Sequence, residues 1–201
     1  MEAFIENANT SLISVSAEVY GKLAHRNTTE GIMAIAKAKN HDLETFTLQN
    51  KTPLILVAEA PEKPGNIGAL LRTADAANLD AVFIANPKTD LYNPNIIRSS
   101  VGCVFSRKII VADTSSIISF LKEKKISMYC AALSASKPYT EIDYKGPTAI
   151  VVGTEHSGLS DEWLSNSTQN IIIPMEGAID SMNVSVSAAI LIFEAKRQRL
   201  G

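Results

Sequence analysis

The chain has 201 residues, room for one domain of ordinary size and a small appendage. Apolar residues make up 46% of it, which supports a sizeable core and excludes wholesale disorder. With 19 Lys and Arg against 21 Asp and Glu, the net charge is −2 and the pI about 5.9. That excludes a broadly basic nucleic-acid surface and leaves a local one open.

Residues 1–50 open with "MEAFIENANT", which lacks the positive and apolar regions of a signal peptide. "SAEVYGKLAHRNTTEGIMAIAKAK" predicts a helix, a polar turn at "HRNTTEG" and a short apolar run, and "NHDLETFTLQNK" reads as a polar connector. This is too little for an independent core, so residues 1–50 read as an arm or accessory fragment preceding a main domain over 51–201.

From residue 52 two kinds of segment alternate. Strand-like runs fall at 53–59, 81–86, 107–112, 126–133, 148–153 and 170–175, each a nearly continuous apolar stretch. Between them, "NIGALLRTADAANL" sets Ile67, Leu70, Leu71 and Ala74 on one helical face. "TSSIISFLKEKK" runs from a Thr/Ser cap to lysines, and "SDEWLS" opens with Ser160 as a cap and two acids behind it. The pattern predicts an α/β fold with a mostly parallel sheet and helices on both faces. No apolar stretch approaches membrane-spanning length. Cys103 and Cys130 are far apart with no metal-ligand spacing, so no metal is expected, and the reading is a reduced, cytoplasmic protein with no membrane partner.

Three clusters carry unusual chemistry. The first, "EKPGNIGALLRTADAANLDAVFI", is a loop, helix and strand with Asn66 placed as a helix cap. Arg72 leans back over Gly68 toward the helix mouth, where a phosphate would meet backbone N–H groups and a guanidinium. A plain surface arginine explains Arg72 equally well, and the spacing is no GxGxxG fingerprint. The second, "TAIVVGTEHSGLSDEW", ends a buried strand at Gly153, followed by Thr154 and Glu155. Ligands of open α/β sheets gather at such strand ends, although Glu155 and His156 also read as solvated loop residues. The third, "PMEGAIDSMNVSVSAAI", puts Ser181, Asn183 and Ser185 at the mouth of a helix apolar nearly all round, buried in the core or against another subunit. A cap explains one such polar residue, not all of them.

In this order the clusters resemble the three motifs of the SpoU/TrmH-type RNA ribose 2′-O-methyltransferases of the SPOUT superfamily, over about residues 53–199, with "NIIRSSVGCVFS" resembling the family's Arg-Ser-x-Gly stretch. Met182 stands where Leu is usual and Ser187 where Ala is common. The resemblance implies a C-terminal trefoil knot, a homodimer, and S-adenosylmethionine held bent in the knot by three loops. Carried over by motif, these loops supply Leu133, Ser134 and Ala135; Gly153, Thr154 and Glu155; and Ile173 and Met175 with Ser181, Met182 and Asn183. It implies Asn66, Arg72, Glu155, Ser181 and Asn183 as the active-site set, for methyl transfer to a ribose 2′-hydroxyl of RNA. Arg72 would bind the target phosphate or accept the proton. A guanidinium gives up its proton only far above neutral pH, which favours the phosphate role. "VSAEVYGKLAHRNTTEGIMAIA" resembles the closing part of a ribosomal-protein-like RNA-binding domain, which favours ribosomal RNA over tRNA. A tRNA enzyme, and a knotted RNA-binding protein that has lost catalysis, are the alternatives.

Overall fold

The computed structural model describes residues 11–24, 31–134, 136–154, 156–179 and 181–200, in two compact units, Met1–Ala38 and Lys39–Gly201. In the first unit, α1 (Ala17–Leu23) is capped by the Ser16 hydroxyl, which accepts from the Val19 N–H, and carries a Lys22–Glu18 ion pair of 2.9 Å. None of its residues is buried, and the apolar Leu12, Ile13, Leu23 and Ile35 stand exposed. The predicted turn at "HRNTTEG" lies outside the described residues except for Gly31.

The second unit is the α/β body. In chain order it runs β1 (Leu54–Glu59), α2 (Pro64–Ala76), β2 (Ala81–Ala85), α3 (Pro94–Ser99), α4 (Cys103–Ser106), β3 (Ile109–Ala112) and α5 (Thr114–Glu123). There follow β4 (Ser127–Ala131), β5 (Ser136–Pro138), β6 (Thr148–Val152), α6 (Asp161–Asn166), β7 (Gln169–Ile172) and α7 (Val184–Leu200). All pairings are parallel, in the order β3-β2-β1-β6-β4-β7-β5. Every residue of β1, β2 and β6 is buried, because helices cover both sides of the central sheet. Alternation sorts their side chains: Leu56, Val82 and Ile150 pack with α2 and α7 on one face, Val57, Phe83 and Val151 with α5 and α6 on the other.

Several local expectations are corrected. The helix expected to be capped by Asn66 begins at Pro64, with Lys63 as the capping position, since proline at the first helical position needs no partner for an N–H it lacks. The cap of α5 is Asp113, whose carboxylate accepts from the Ser116 N–H, rather than a Thr or Ser. Strand β5 had no sequence signal. The stretch read as a polar connector packs on the body: the His41 carbonyl accepts from the Val111 N–H, and Phe46 joins Phe83 and Phe120 in an aromatic trio. On α7, Ala188, Leu191, Ile192 and Ala195 are buried in the body, and Val186, Phe193 and Leu200 are exposed within the single chain, which leaves the expected burial against another subunit open. Its far end is strapped to the body by Arg199, which donates to the carbonyls of Tyr144, Thr52, Pro53 and Gly146. Among the described residues no helix is long and apolar enough to cross a membrane.

The route of the chain beside β4 positions the site. Leaving β4, it runs out beyond β7 to form β5, then returns to β6 on the other side of β4. The carboxyl ends of β4, β6 and β7 therefore lie side by side, and the loops leaving them share one edge of the sheet.

Candidate active site

A cavity of about 440 Å³ sits where those three loops meet. Such a volume lies within the range of about 300–1,000 Å³ common for small-molecule and cofactor sites. From the loop after β4 come Leu133 and Ser134, from the end of β6 Gly153 and Thr154, and after β7 Ile173, Met175, Ser181 and Met182. Every described residue that the resemblance assigned to the cofactor thus lines this cavity, apart from Asn183. Ala135 and Glu155 lie outside the described residues.

Gly153 is required by close packing. A Cβ there would stand 2.1 Å from the Gly158 carbonyl oxygen and 2.6 Å from the Leu159 nitrogen, both backbone atoms. The loop folds back on the strand end through paired bonds, Thr154 N–H to the Gly158 carbonyl at 3.1 Å and Gly158 N–H to the Thr154 carbonyl at 3.0 Å. Gly158 takes the left-handed φ of +68° that the turn needs. These contacts draw the loop against the strand end at the cavity wall, and Leu159, Leu164 and Ile171 supply the apolar lining.

Asn183 does two things at once. Its Oδ1 accepts from the Ser185 N–H at 3.0 Å and the Ser185 hydroxyl at 2.6 Å, while its carbonyl receives the Val186 and Ser187 N–H groups, so it caps α7. Its Nδ2 donates to Asn66 Oδ1 at 3.1 Å, joining the mouths of α7 and α2. Ser185 is therefore part of the cap, and Ser181 faces the cavity.

Arg72 lies apart from this cavity, in a cleft of about 500 Å³ shared with Pro64, Gly65, Asn95, Arg98, Ser99 and Val101. The cleft places it with Pro64 and Gly65, which precede it on α2, while Gly68 is covered by a neighbouring helix. A Cβ on Gly68 would meet Ser99 Oγ at 2.0 Å and the Ser100 nitrogen at 2.7 Å, so this glycine lets α3 dock on α2. Ser99 completes the contact by donating to the Pro64 carbonyl at 3.2 Å.

Sequence reasoning missed Glu59, at the carboxyl end of β1. It is 7% exposed and accepts from the Ser160 N–H at 2.8 Å, the Ser160 hydroxyl at 2.7 Å and the Thr114 hydroxyl at 3.4 Å. Ser160, expected to cap α6 with its side chain, spends its hydroxyl on this carboxylate instead. A spacing of 101 residues offered no local signal for the pair. Ser157 and Ser187, neither assigned to the site from the sequence, also line the cavity. Burial pushes the Cys130 thiol up to about 11, and burial also raises Cys103, so both stay protonated at neutral pH.

Fold and site together define an α/β protein that takes a small ligand at the carboxyl ends of parallel strands, with a cationic cleft on the same body. The chain belongs to the SpoU rRNA Methylase family, whose model matches residues 53–193. It is 30% identical over 182 residues to the 23S rRNA (guanosine(2553)-2′-O)-methyltransferase RlmP of Bacillus subtilis, covering 90% of this chain and 71% of that one. It is 35% identical over 168 residues to the tRNA (guanosine(18)-2′-O)-methyltransferase of Thermus thermophilus, covering 82% and 84%. Among solved structures, an RNA 2′-O ribose methyltransferase superposes with a TM-score of 0.82 at 42% identity, over 100% of this chain and 77% of that one. The AdoMet-bound rRNA methyltransferase from Sinorhizobium meliloti gives 0.86 at 27% identity, over 92% and 71%.

Proposed function

We propose that the protein transfers a methyl group from S-adenosylmethionine to a ribose 2′-hydroxyl of RNA, and that the RNA is ribosomal. The observation that carries this reading is the Asn183–Asn66 bond, which ties the cavity-bearing third motif to the helix that presents Arg72. The cavity fits the methyl donor by its size, by apolar walls suited to an adenine ring, and by the backbone-on-backbone cradle at Gly153. Leu133 and Ser134, Gly153 and Thr154, and Ile173 with Met175 would hold it, with Ser181 and Met182 closing the wall.

When bound, S-adenosylmethionine supplies an already activated methyl group. What remains for the chain is to align the hydroxyl and help remove its proton. Asn66 and Asn183, fixed by their mutual bond, orient the ribose from the mouths of two helices. Arg72, exposed in its cleft, holds the target phosphate as a fork-shaped cation. By its motif, Glu155 is the remaining member of the set. The relative RlmP, named for 23S rRNA, supports the ribosomal target, and the Thermus tRNA enzyme keeps tRNA in the test.

The knot and the paired state belong to the same reading. The excursion of the chain beyond β7 and back to β6 supports the threading, and the open Val186, Phe193 and Leu200 stripe of α7 supports pairing with a second copy. Residues 1–50, by the resemblance of "VSAEVYGKLAHRNTTEGIMAIA", read as an RNA-binding arm and its linker.

The test is transfer of labelled methyl to unmodified ribosomal RNA and tRNA, by wild type and Arg72→Ala, with resistance to alkaline cleavage as readout. Alkali-resistant label in ribosomal RNA, lost in the variant, is the expected result. Label confined to tRNA would overturn the ribosomal assignment, and cofactor binding without transfer would indicate a retired enzyme.

A further inference from the structure

The arginines of this chain are unevenly partnered. Arg107 pairs with Asp75 at 2.9 Å, Arg197 with Glu194 at 2.8 Å, and Arg199 is spent on backbone carbonyls. Among the described residues the Arg72 and Arg98 guanidinium groups make no hydrogen bond or ion pair, and these two line the same cleft. Their proximity is built in. The missing Cβ at Gly68 lets the Ser99 end of α3 settle on the first turn of α2, and Arg98 immediately precedes Ser99. Two like charges sharing one cleft repel each other, and a packed helix pair that holds them together gains from an anion between them.

The rim of the cleft adds a second feature. Val101 has a φ of +52° and is 73% exposed, a β-branched residue in the left-handed region with its side chain in solvent. Such backbone strain persists where the surroundings over-determine it, and it concentrates at ligand-contacting segments. Here the strained turn is the one that ends α3 directly after Arg98 and Ser99.

We propose that Arg98 joins Arg72 in a two-guanidinium clamp on the sugar-phosphate backbone of the RNA, each fork taking phosphate oxygens, with Val101 as the apolar rim of the cleft. The ligand class follows from the chemistry: paired, planar, permanently charged donors match phosphodiester oxygens, and a cleft open to solvent admits a polymer. This rests on the RNA reading above. In it Arg98 is an RNA-binding residue that sets RNA affinity and leaves the methyl donor's cavity alone.

The experiment measures binding of the full chain to an unmodified large-subunit ribosomal RNA transcript across roughly 50 to 200 mM salt, with methyl-transfer kinetics on the same RNA. Arg98→Ala is expected to raise KM for RNA about tenfold, with kcat within about twofold and S-adenosylmethionine affinity unchanged. The slope of log K against log salt should become shallower by about 0.7–0.9, the value of one lost phosphate contact. Arg98→Lys should keep the slope and recover only part of KM, because a point charge replaces a fork. A wild-type slope and KM in Arg98→Ala would overturn the clamp. So would a parallel loss of donor affinity, which would mark Arg98 as structural. If the wild type transfers no methyl group to any RNA, the enzymatic reading fails on its own, while the slope comparison still decides the clamp. Absence of salt-dependent RNA binding by the wild type would overturn both.

Discussion

Asn183 Nδ2 stands 3.1 Å from Asn66 Oδ1, a bond between side chains 117 residues apart in the chain. Because Asn183 Oδ1 is already engaged by Ser185, the amide is fixed in orientation by two neighbours. If the pair works as one unit, Asn66→Ala and Asn183→Ala each lower kcat by about 10–100-fold, and the double variant is hardly worse than either single one. Stability should separate them. Asn183→Ala also loses a helix cap worth about 1 kcal/mol, readable in urea unfolding, which Asn66→Ala does not.

Gly153→Ala is expected to weaken S-adenosylmethionine binding by at least about tenfold in calorimetry. The new Cβ would meet the Gly158 carbonyl at 2.1 Å, and neither backbone can yield without moving the loop that walls the cavity. Gly177→Ala, with nothing within 4 Å of its Cβ position, is the matched control and should bind normally.

Glu59→Ala leaves the Ser160 N–H and hydroxyl without their acceptor at the start of α6. Hydrogen bonds to a charged partner contribute about 1.5–3 kcal/mol, so a loss of about 3 kcal/mol in urea unfolding is expected. Donor affinity should fall with it, since Leu159 and Leu164 on either side of Ser160 line the cavity. Full donor affinity in a destabilised Glu59→Ala would confine this carboxylate to the scaffold.

Acid stability should carry the signature of Glu194. Hydrogen bonds from Arg197, and then from Gln198, hold its carboxyl down at about 2, below its ordinary 4.5. A depressed folded-state value stabilises the fold above the ordinary value, and the contribution disappears as pH falls from about 4.5 toward 2. Unfolding curves of wild type and Glu194→Gln should differ by a constant amount above pH 5 or so, and converge across that acid window.

The central strands were readable because burial on both faces leaves no polar residue to interrupt them, as in "LILVAE" and "TAIVV". β5 was not, because Ser136, Lys137 and Pro138 carry no strand pattern, and they pair only with β7 at the sheet edge, where proline is tolerated. The start of α2 was misplaced by weighing Asn66 as a cap over Pro64 as a first residue. The cofactor-assigned residues were legible as motifs, but their meeting in one cavity depends on β4, β6 and β7 ending side by side, and strand order leaves no periodicity in a sequence. Glu59 shows the same limit at a single position: it ends an apolar run, and only its partner 101 residues away reveals why an acid is buried there.

The same strand order bears on how the chain is made. β1 pairs with β2 on one side, but its other edge waits for β6, which leaves the ribosome after the whole stretch from Ala60 to Pro147. Through that interval a parallel edge that is apolar from Leu54 to Ala58 is exposed, open to pairing with a neighbouring nascent chain. The Arg199 bonds to the Thr52 and Pro53 carbonyls come later still, spanning 147 and 146 residues. Folding of this body is therefore a late, long-range event, and its yield in the cell depends on what shields β1 before β6 emerges.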